Sequence, residues 1–131
     1  MSSRAIADTS LVIARETGRP LDSYEEDLEI AVSIVTIAEL ELGVLTAATA
    51  PRIRAARLQT LRDAEQLTAV PLDRAVASAF AKLVVEMRAA GHGRLGVQDA
   101  WIAATAIAHD ADLLTQDADF DAVPSLRVIK L

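Results

Sequence analysis

Five acidic residues stand where an α/β chain could gather them. Asp8 closes a short apolar run, and Glu39 follows a β-branched run. Asp99 precedes the most apolar stretch of the chain, and Asp117 and Asp119 come just after another short apolar run. Carboxylates cannot crowd together uncompensated, because each raises the pKa of the others. A bound cation removes that conflict. An oxygen-only donor set with no Cys or His beside it suits a hard ion such as Mg²⁺ or Mn²⁺. Such an ion acidifies water and polarises a phosphoryl oxygen, so the chemistry indicated is hydrolysis of a phosphodiester.

Each acid also has an ordinary explanation. Asp8 before Thr9-Ser10 could cap a helix, and Glu39 could be the reciprocal partner of Thr36 in a capping box. Asp99 could be a helix-start charge, and Asp117 and Asp119 could be turn formers. The joint pattern is much harder to explain this way than any single member.

These acids need a scaffold. Residues 4–8 read as a first strand, followed by a helix to about residue 15 that Gly18 and Pro20 terminate. Residues 28–35 are rich in Ile and Val and read as a buried strand. Thr36 then caps a helix through about residue 48, which puts Glu39 in its first turn. Pro51 opens a charged helix over residues 52–67. A short strand or extended link follows at 69–72, and Asp73 caps a helix over 74–90 with Val76, Phe80, Leu83, Val84 and Met87 on one face. Residues 91–96 form a glycine-rich loop. Asp99 opens a helix over 100–109 that is apolar nearly all round and therefore buried, Trp101 included. Strands at 112–115 and 126–131 complete the chain. Strands alternating with helices define an α/β class with a mainly parallel, covered sheet. In such sheets ligands bind beyond the carboxyl ends of the strands. Strand ends supply Asp8, Asp117 and Asp119, and helix starts supply Glu39 and Asp99, whose charge the helix termini should favour.

Composition narrows the class further. The 131 residues are 52% hydrophobic but only 3% aromatic, so the core is built from Ala, Val, Leu and Ile within one domain over residues 1–131. Cysteine is absent, which excludes disulfides and thiolate metal sites and fits a cytoplasmic protein. The longest apolar stretch, residues 100–108, is far short of the roughly 20 needed to span a membrane. Asp8, Arg15 and Glu16 interrupt the N-terminal apolar run too early for a signal peptide. A net charge of −6 argues against a protein that merely coats nucleic acid, although Asp22, Glu25, Glu26, Asp27 and Glu29 carry most of it.

Four segments resemble the PIN-domain ribonucleases, specifically the VapC-type toxins of bacterial toxin–antitoxin pairs. They are Ala7-Asp8-Thr9-Ser10-Leu11, Thr36-Ile37-Ala38-Glu39-Leu40-Glu41-Leu42-Gly43, Val97-Gln98-Asp99-Ala100-Trp101-Ile102-Ala103-Ala104-Thr105-Ala106 and Leu114-Thr115-Gln116-Asp117-Ala118-Asp119-Phe120. They occur in this order, and the resemblance spans essentially the whole chain. The resemblance implies a PIN-like three-layer α/β/α fold. It implies Asp8, Glu39 and Asp99 as central metal-binding acids, with Asp117 and Asp119 in the last acidic motif. Many VapC-like chains carry Asn where Asp117 stands, which makes Asp119 the more regular acid. Ser10 and Thr115 match small hydroxyl residues that line such sites. The implied activity is Mg²⁺- or Mn²⁺-dependent endonucleolytic cleavage of RNA, a hydrolase reaction leaving a 5′-phosphate and a 3′-hydroxyl. The implied partners are a VapB-like antitoxin and a second copy of the chain in a homodimer. The alternative is a catalytically silent PIN-like binding module.

The chain departs from a nucleic-acid binder in its basic equipment. Lysine occurs only at Lys82 and Lys130, and its few aromatics are too scattered for a base-stacking platform. Substrate selection should then rest on RNA shape and on basic residues, with Arg94 and His92 of the glycine-rich loop as candidates. Two other acid-bearing α/β classes fit poorly. A phosphorelay receiver needs a phosphate-contacting lysine near its last strands, whereas Lys82 is mid-helix and Lys130 terminal. An aspartate-nucleophile phosphatase needs a second acid two positions after Asp8, where Ser10 stands.

Overall fold

The computed structural model describes residues 4–18, 28–91 and 95–131. Five strands form one sheet: β1 (Arg4–Ala7), β2 (Glu29–Ser33), β3 (Thr68–Val70), β4 (Asp112–Thr115) and β5 (Val128–Lys130). Their order is β3-β2-β1-β4-β5 and every pairing is parallel. The helices between them are α1 (Thr9–Thr17), α2 (Ile34–Thr46), α3 (Pro51–Glu65), α4 (Arg74–Ala89) and α5 (Val97–Ala108).

Successive strand residues point to opposite faces, and this alternation splits the core in two. Ile6 and Leu113 face the layer of α4 and α5, where they meet Leu83, Met87, Ile102, Ala103 and Phe120. Ala5, Ala7, Val32 and Leu114 face the other side, against Leu11 of α1. A third cluster joins α1 to the α2–α3 pair through Val12, Leu40, Val44, Leu61 and Ala64. The result is the expected three-layer α/β/α arrangement. The alanines of α5 are buried, as its all-round apolar pattern requires. Trp101 is only half-buried, and it stacks on Phe80 with ring centroids 3.8 Å apart, joining α5 to α4. Among the described residues no helix is long and apolar enough to cross a membrane.

The sheet order sets where a site can form. The chain steps from β1 outward to β2 and β3, then returns to the other side of β1 for β4 and β5. The connections therefore diverge at the carboxyl ends of β1 and β4, the switch point where open α/β sheets leave a crevice.

Several boundaries differ from the sequence expectation, among them that of β3, which runs Thr68–Val70 and stops before Pro71, a residue with no N–H for the sheet. The strand expected over residues 28–35 ends at Ser33, and α2 begins at Ile34. Ser33 is the cap, with its hydroxyl accepting from the Val35 N–H at 3.1 Å. Thr36 is thus inside the helix, and Glu39 falls in the second turn rather than the first. Likewise α5 starts at Val97 behind Gly96, so Asp99 lies within its first turn instead of ahead of it. The last strand is confined to Val128–Lys130. Asp73 caps α4 as expected, accepting from the Val76 N–H at 3.1 Å.

Candidate active site

Asp8 follows β1 directly, and its own N–H continues the β1–β4 pairing by donating to the Leu114 carbonyl at 2.8 Å. The side chain is 2% exposed. A buried carboxylate needs donors, and two hydroxyls supply them. Ser10 Oγ donates to Asp8 Oδ2 at 2.7 Å, and Thr115 Oγ1 donates to the same oxygen at 2.8 Å. Asp8 is therefore no ordinary helix cap, because its carboxylate turns towards β4 rather than to the N–H groups of α1.

The end of β4 is built on the same hydroxyls. Thr115 Oγ1 accepts from the Asp117 N–H at 2.9 Å while donating to Asp8. Ser10 Oγ accepts from the Gln116 N–H at 3.3 Å. Asp117 Oδ1 then accepts from the Asp119 N–H at 2.9 Å, which turns the chain into a short 3₁₀ segment, Ala118–Phe120. Phe120 anchors that turn in the core beside α5. The turn-forming role foreseen for Asp117 is thus real, and it engages only one oxygen of the carboxylate.

Asp99 comes to the same place from α5. Asp99, Asp117 and Asp119 each offer a carboxylate oxygen within 4.8 Å of the others. Glu39 arrives from α2, where Oε1 accepts from Thr9 Oγ1 at 3.0 Å. Burial, and then the charges of Asp8, Asp117, Glu39 and Asp119, push the Asp99 carboxyl up to about 6. Burial also raises Glu39, against the Thr9 hydrogen bond that lowers it, with the Asp8 charge raising it further. Helix termini are expected to help keep both carboxylates charged, but burial and the neighbouring acids move both in the opposite direction. A helix terminus contributes only about 0.3–1 kcal/mol, and desolvation together with like charges outweighs it.

The other four acids foreseen from the sequence are therefore brought within electrostatic reach of Asp99. Ser10 and Thr115 join them through Asp8. His92 and Arg94 lie outside the described residues. Thr9 and Thr36 are what sequence reading missed, since both look like helix caps. Thr9 instead bonds Glu39 and also Thr36 Oγ1, the latter at 2.9 Å. The T-x-x-E spacing contained a signal, but the residue that Thr36 serves through space lies in another helix.

Among the described residues none of the five acids forms an ion pair; those present join Arg127 to Asp110 and Asp112, and Lys130 to Asp121. Asp8 keeps Oδ1 and Glu39 keeps Oε2 unbonded within the described chain, and neither oxygen of Asp99 is engaged. Uncompensated negative charge with at least one free oxygen per carboxylate, and no nitrogen or sulfur donor in the group among the described residues, fits a hard divalent cation.

The chain matches the PIN domain family over residues 5–126. It is 44% identical over 128 residues to Ribonuclease VapC4 of Mycobacterium tuberculosis, an alignment covering 98% of this chain and 97% of the relative. Ribonuclease VapC5 of the same organism is 39% identical over 129 residues, covering 96% and 94%. Among solved structures, that of VapBC-5 from Mycobacterium tuberculosis, a member of the VapBC family of toxin–antitoxin systems, superposes with a TM-score of 0.80 at 32% identity. That match covers 98% of this chain and 99% of the other.

Proposed function

The chain belongs to the PIN domain family, alongside the VapC ribonucleases, and from that premise we propose that it is a metal-dependent endoribonuclease, the toxin of a toxin–antitoxin pair. One observation carries this reading: five carboxylates from distant segments converge at the switch point of the sheet, and among the described residues none of them is paired with a cationic side chain. Asp8, Glu39 and Asp99 hold the cation, Mg²⁺ or Mn²⁺, and Asp117 or Asp119 is the fourth acid. When bound, the cation acidifies water and offsets charge on the phosphoryl group.

The remaining contributions come from the chain itself. Ser10 and Thr115 lock one oxygen of Asp8 and so present the other. Thr9 does the same for Glu39. Asp99, with its carboxyl near 6, is mostly ionised at neutral pH and would be held fully ionised by a bound cation. The substrate is RNA cut internally to leave a 5′-phosphate and a 3′-hydroxyl. His92 and Arg94, just ahead of α5 in sequence, are the basic candidates to meet its backbone. A VapB-like antitoxin is the cognate partner, the active form is a homodimer, and the protein works in the cytoplasm as a single PIN-like domain over residues 1–131.

The test is cleavage of total RNA by partner-free protein in Mg²⁺, Mn²⁺ or EDTA, beside Asp8→Asn and Asp99→Asn. Cleavage should need metal. Each variant should lose more than the roughly 10–100-fold typical of an outer-shell contact. Cleavage that survives EDTA, or that persists in both variants, overturns the mechanism. A folded protein that binds metal yet cuts no RNA is the silent binding module instead.

A further inference from the structure

Thr36 is the one fully buried polar side chain of α2, at 0% exposed, and it lies one turn before Glu39 on the same helix. Among the described residues its hydroxyl has a single partner, Thr9 Oγ1 at 2.9 Å, reached from another helix across 27 residues of sequence. Thr9 Oγ1 is in turn 3.0 Å from Glu39 Oε1. The direction of this chain of bonds follows from counting protons. An ionised carboxylate only accepts, and a hydroxyl has one proton to give. The Thr9 proton is committed to Glu39, so the Thr36 proton must go to Thr9. Without Thr36 the Thr9 hydroxyl is free to turn about its Cβ–Oγ1 bond and to rotate the side chain itself, and Glu39 loses a donor that points in a fixed direction.

We infer that Thr36 is a positioning residue for the acidic centre: through Thr9 it holds Glu39 Oε1, so that Oε2 is the oxygen kept free to ligate. Thr36 itself touches neither substrate nor cation. Asp8 offers an independent parallel in the same site, since its Oδ2 is held by two hydroxyls and its Oδ1 is left open. Both carboxylates are thus fixed at one oxygen by threonine or serine. Glu39 differs in needing a second hydroxyl behind the first, because its side chain is longer and has one more torsion to restrain. Outer-shell hydrogen bonds of this kind typically change metal affinity by roughly 10–100-fold.

This inference rests on the metal-dependent reading above, and the experiment separates the two. Mn²⁺ affinity is measured by calorimetry on the purified full chain for wild type, Glu39→Gln, Thr36→Val, Thr36→Ser and Thr9→Val, with thermal melting of each in EDTA. Valine keeps the shape of threonine and removes the hydroxyl, and serine keeps the hydroxyl. Thr36→Val should weaken Mn²⁺ binding about tenfold, Thr9→Val should match it, and Thr36→Ser should stay near wild type. If Thr36→Val does not fold, the half-buried Thr9→Val carries the comparison with Thr36→Ser. Wild type that binds no Mn²⁺, or Glu39→Gln that binds as wild type does, sinks the metal-site reading and this inference with it. Tight binding by Glu39-intact Thr36→Val, with Glu39→Gln impaired, overturns the inference alone. Equal weakening in Thr36→Ser and Thr36→Val also overturns it, because the methyl group and not the hydroxyl would then be responsible.

Discussion

Replacing Asp99 with asparagine should make the metal-free protein more stable while destroying its metal-dependent chemistry. A carboxyl moved from the ordinary 3.8 to about 6 corresponds to about 3 kcal/mol against the charged form. Asp99 is only partly buried, so solvent screening leaves about half of that as a stability effect. Asparagine forfeits about 0.5 kcal/mol of favourable interaction between a charge and the first turn of α5. The net gain is about 1 kcal/mol, or about 3–5 °C in Tm for a chain of this length. Its pH dependence has a definite sign. The native state holds the Asp99 proton more tightly than the unfolded state does, so wild-type stability falls as pH rises from about 4 to about 6 and stays reduced above that. The variant has no such fall. Its advantage should be absent at about pH 4 and complete at about pH 7.5. Melting curves in EDTA across that range measure this directly. Saturating Mg²⁺ should then reverse the order, since a ligand at a hundred times its Kd adds about 2.7 kcal/mol to the protein that binds it. An asparagine variant no more stable than wild type in EDTA at neutral pH would refute the claim that burial and the neighbouring acids disfavour a charged Asp99.

Three further outcomes follow from the same structure. Mn²⁺ affinity should drop by up to about tenfold per pH unit below about 6, because the cation must displace the Asp99 proton; calorimetric titrations with a flat pH response would contradict this. Phe120→Ala should cost about 3–5 kcal/mol in denaturant unfolding, since the ring is fully buried and anchors the Asp117–Asp119 turn. Gly43→Ala should stabilise by about 0.5–1 kcal/mol, because the added Cβ would sit at an ordinary 3.6 Å from Arg57 Cδ. A loss of stability there would mean that the bond from Arg57 to the Gly43 carbonyl, 2.8 Å long, had been displaced.

The parts of the fold that were legible are those specified locally. The Leu113-Leu114 pair between Asp112 and the Gln116-Asp117 turn marked a short strand over 112–115, and the strand has those bounds. Asp73 ahead of an amphipathic pattern marked the start of α4 correctly. The boundary after β2 was not legible, because Ile30 to Val35 is one β-branched run serving both a strand and a helix start. Only the tertiary position of Ser33 decides where the change occurs. The acids could be picked out because strand ends and helix starts of a parallel sheet share one edge. Their energetics could not, since burial is a property of the assembled layers and it overrode the helix termini at Glu39 and Asp99. The Thr36–Thr9–Glu39 chain was hidden for a similar reason: it joins two helices through hydroxyls that local rules assign to caps.

The placement of β4 beside β1 has a consequence for how the molecule comes into being. Thr115 and Asp8 share a hydrogen bond across 107 residues of sequence, and the strand between β1 and β5 is among the last to be made. A nascent chain that has emitted β1, β2 and β3 holds Asp8 and Glu39 but no partner for the open edge of β1. Contacts this distant in sequence close late, after the entropy of the intervening loop has been overcome. The acidic centre therefore cannot exist on a partial chain. A ribonuclease built this way would gain its acidic centre only once β4 has docked, after most of the chain has been made. The same lateness leaves an apolar strand edge unpaired on the ribosome, which makes this intermediate the one most in need of a chaperone.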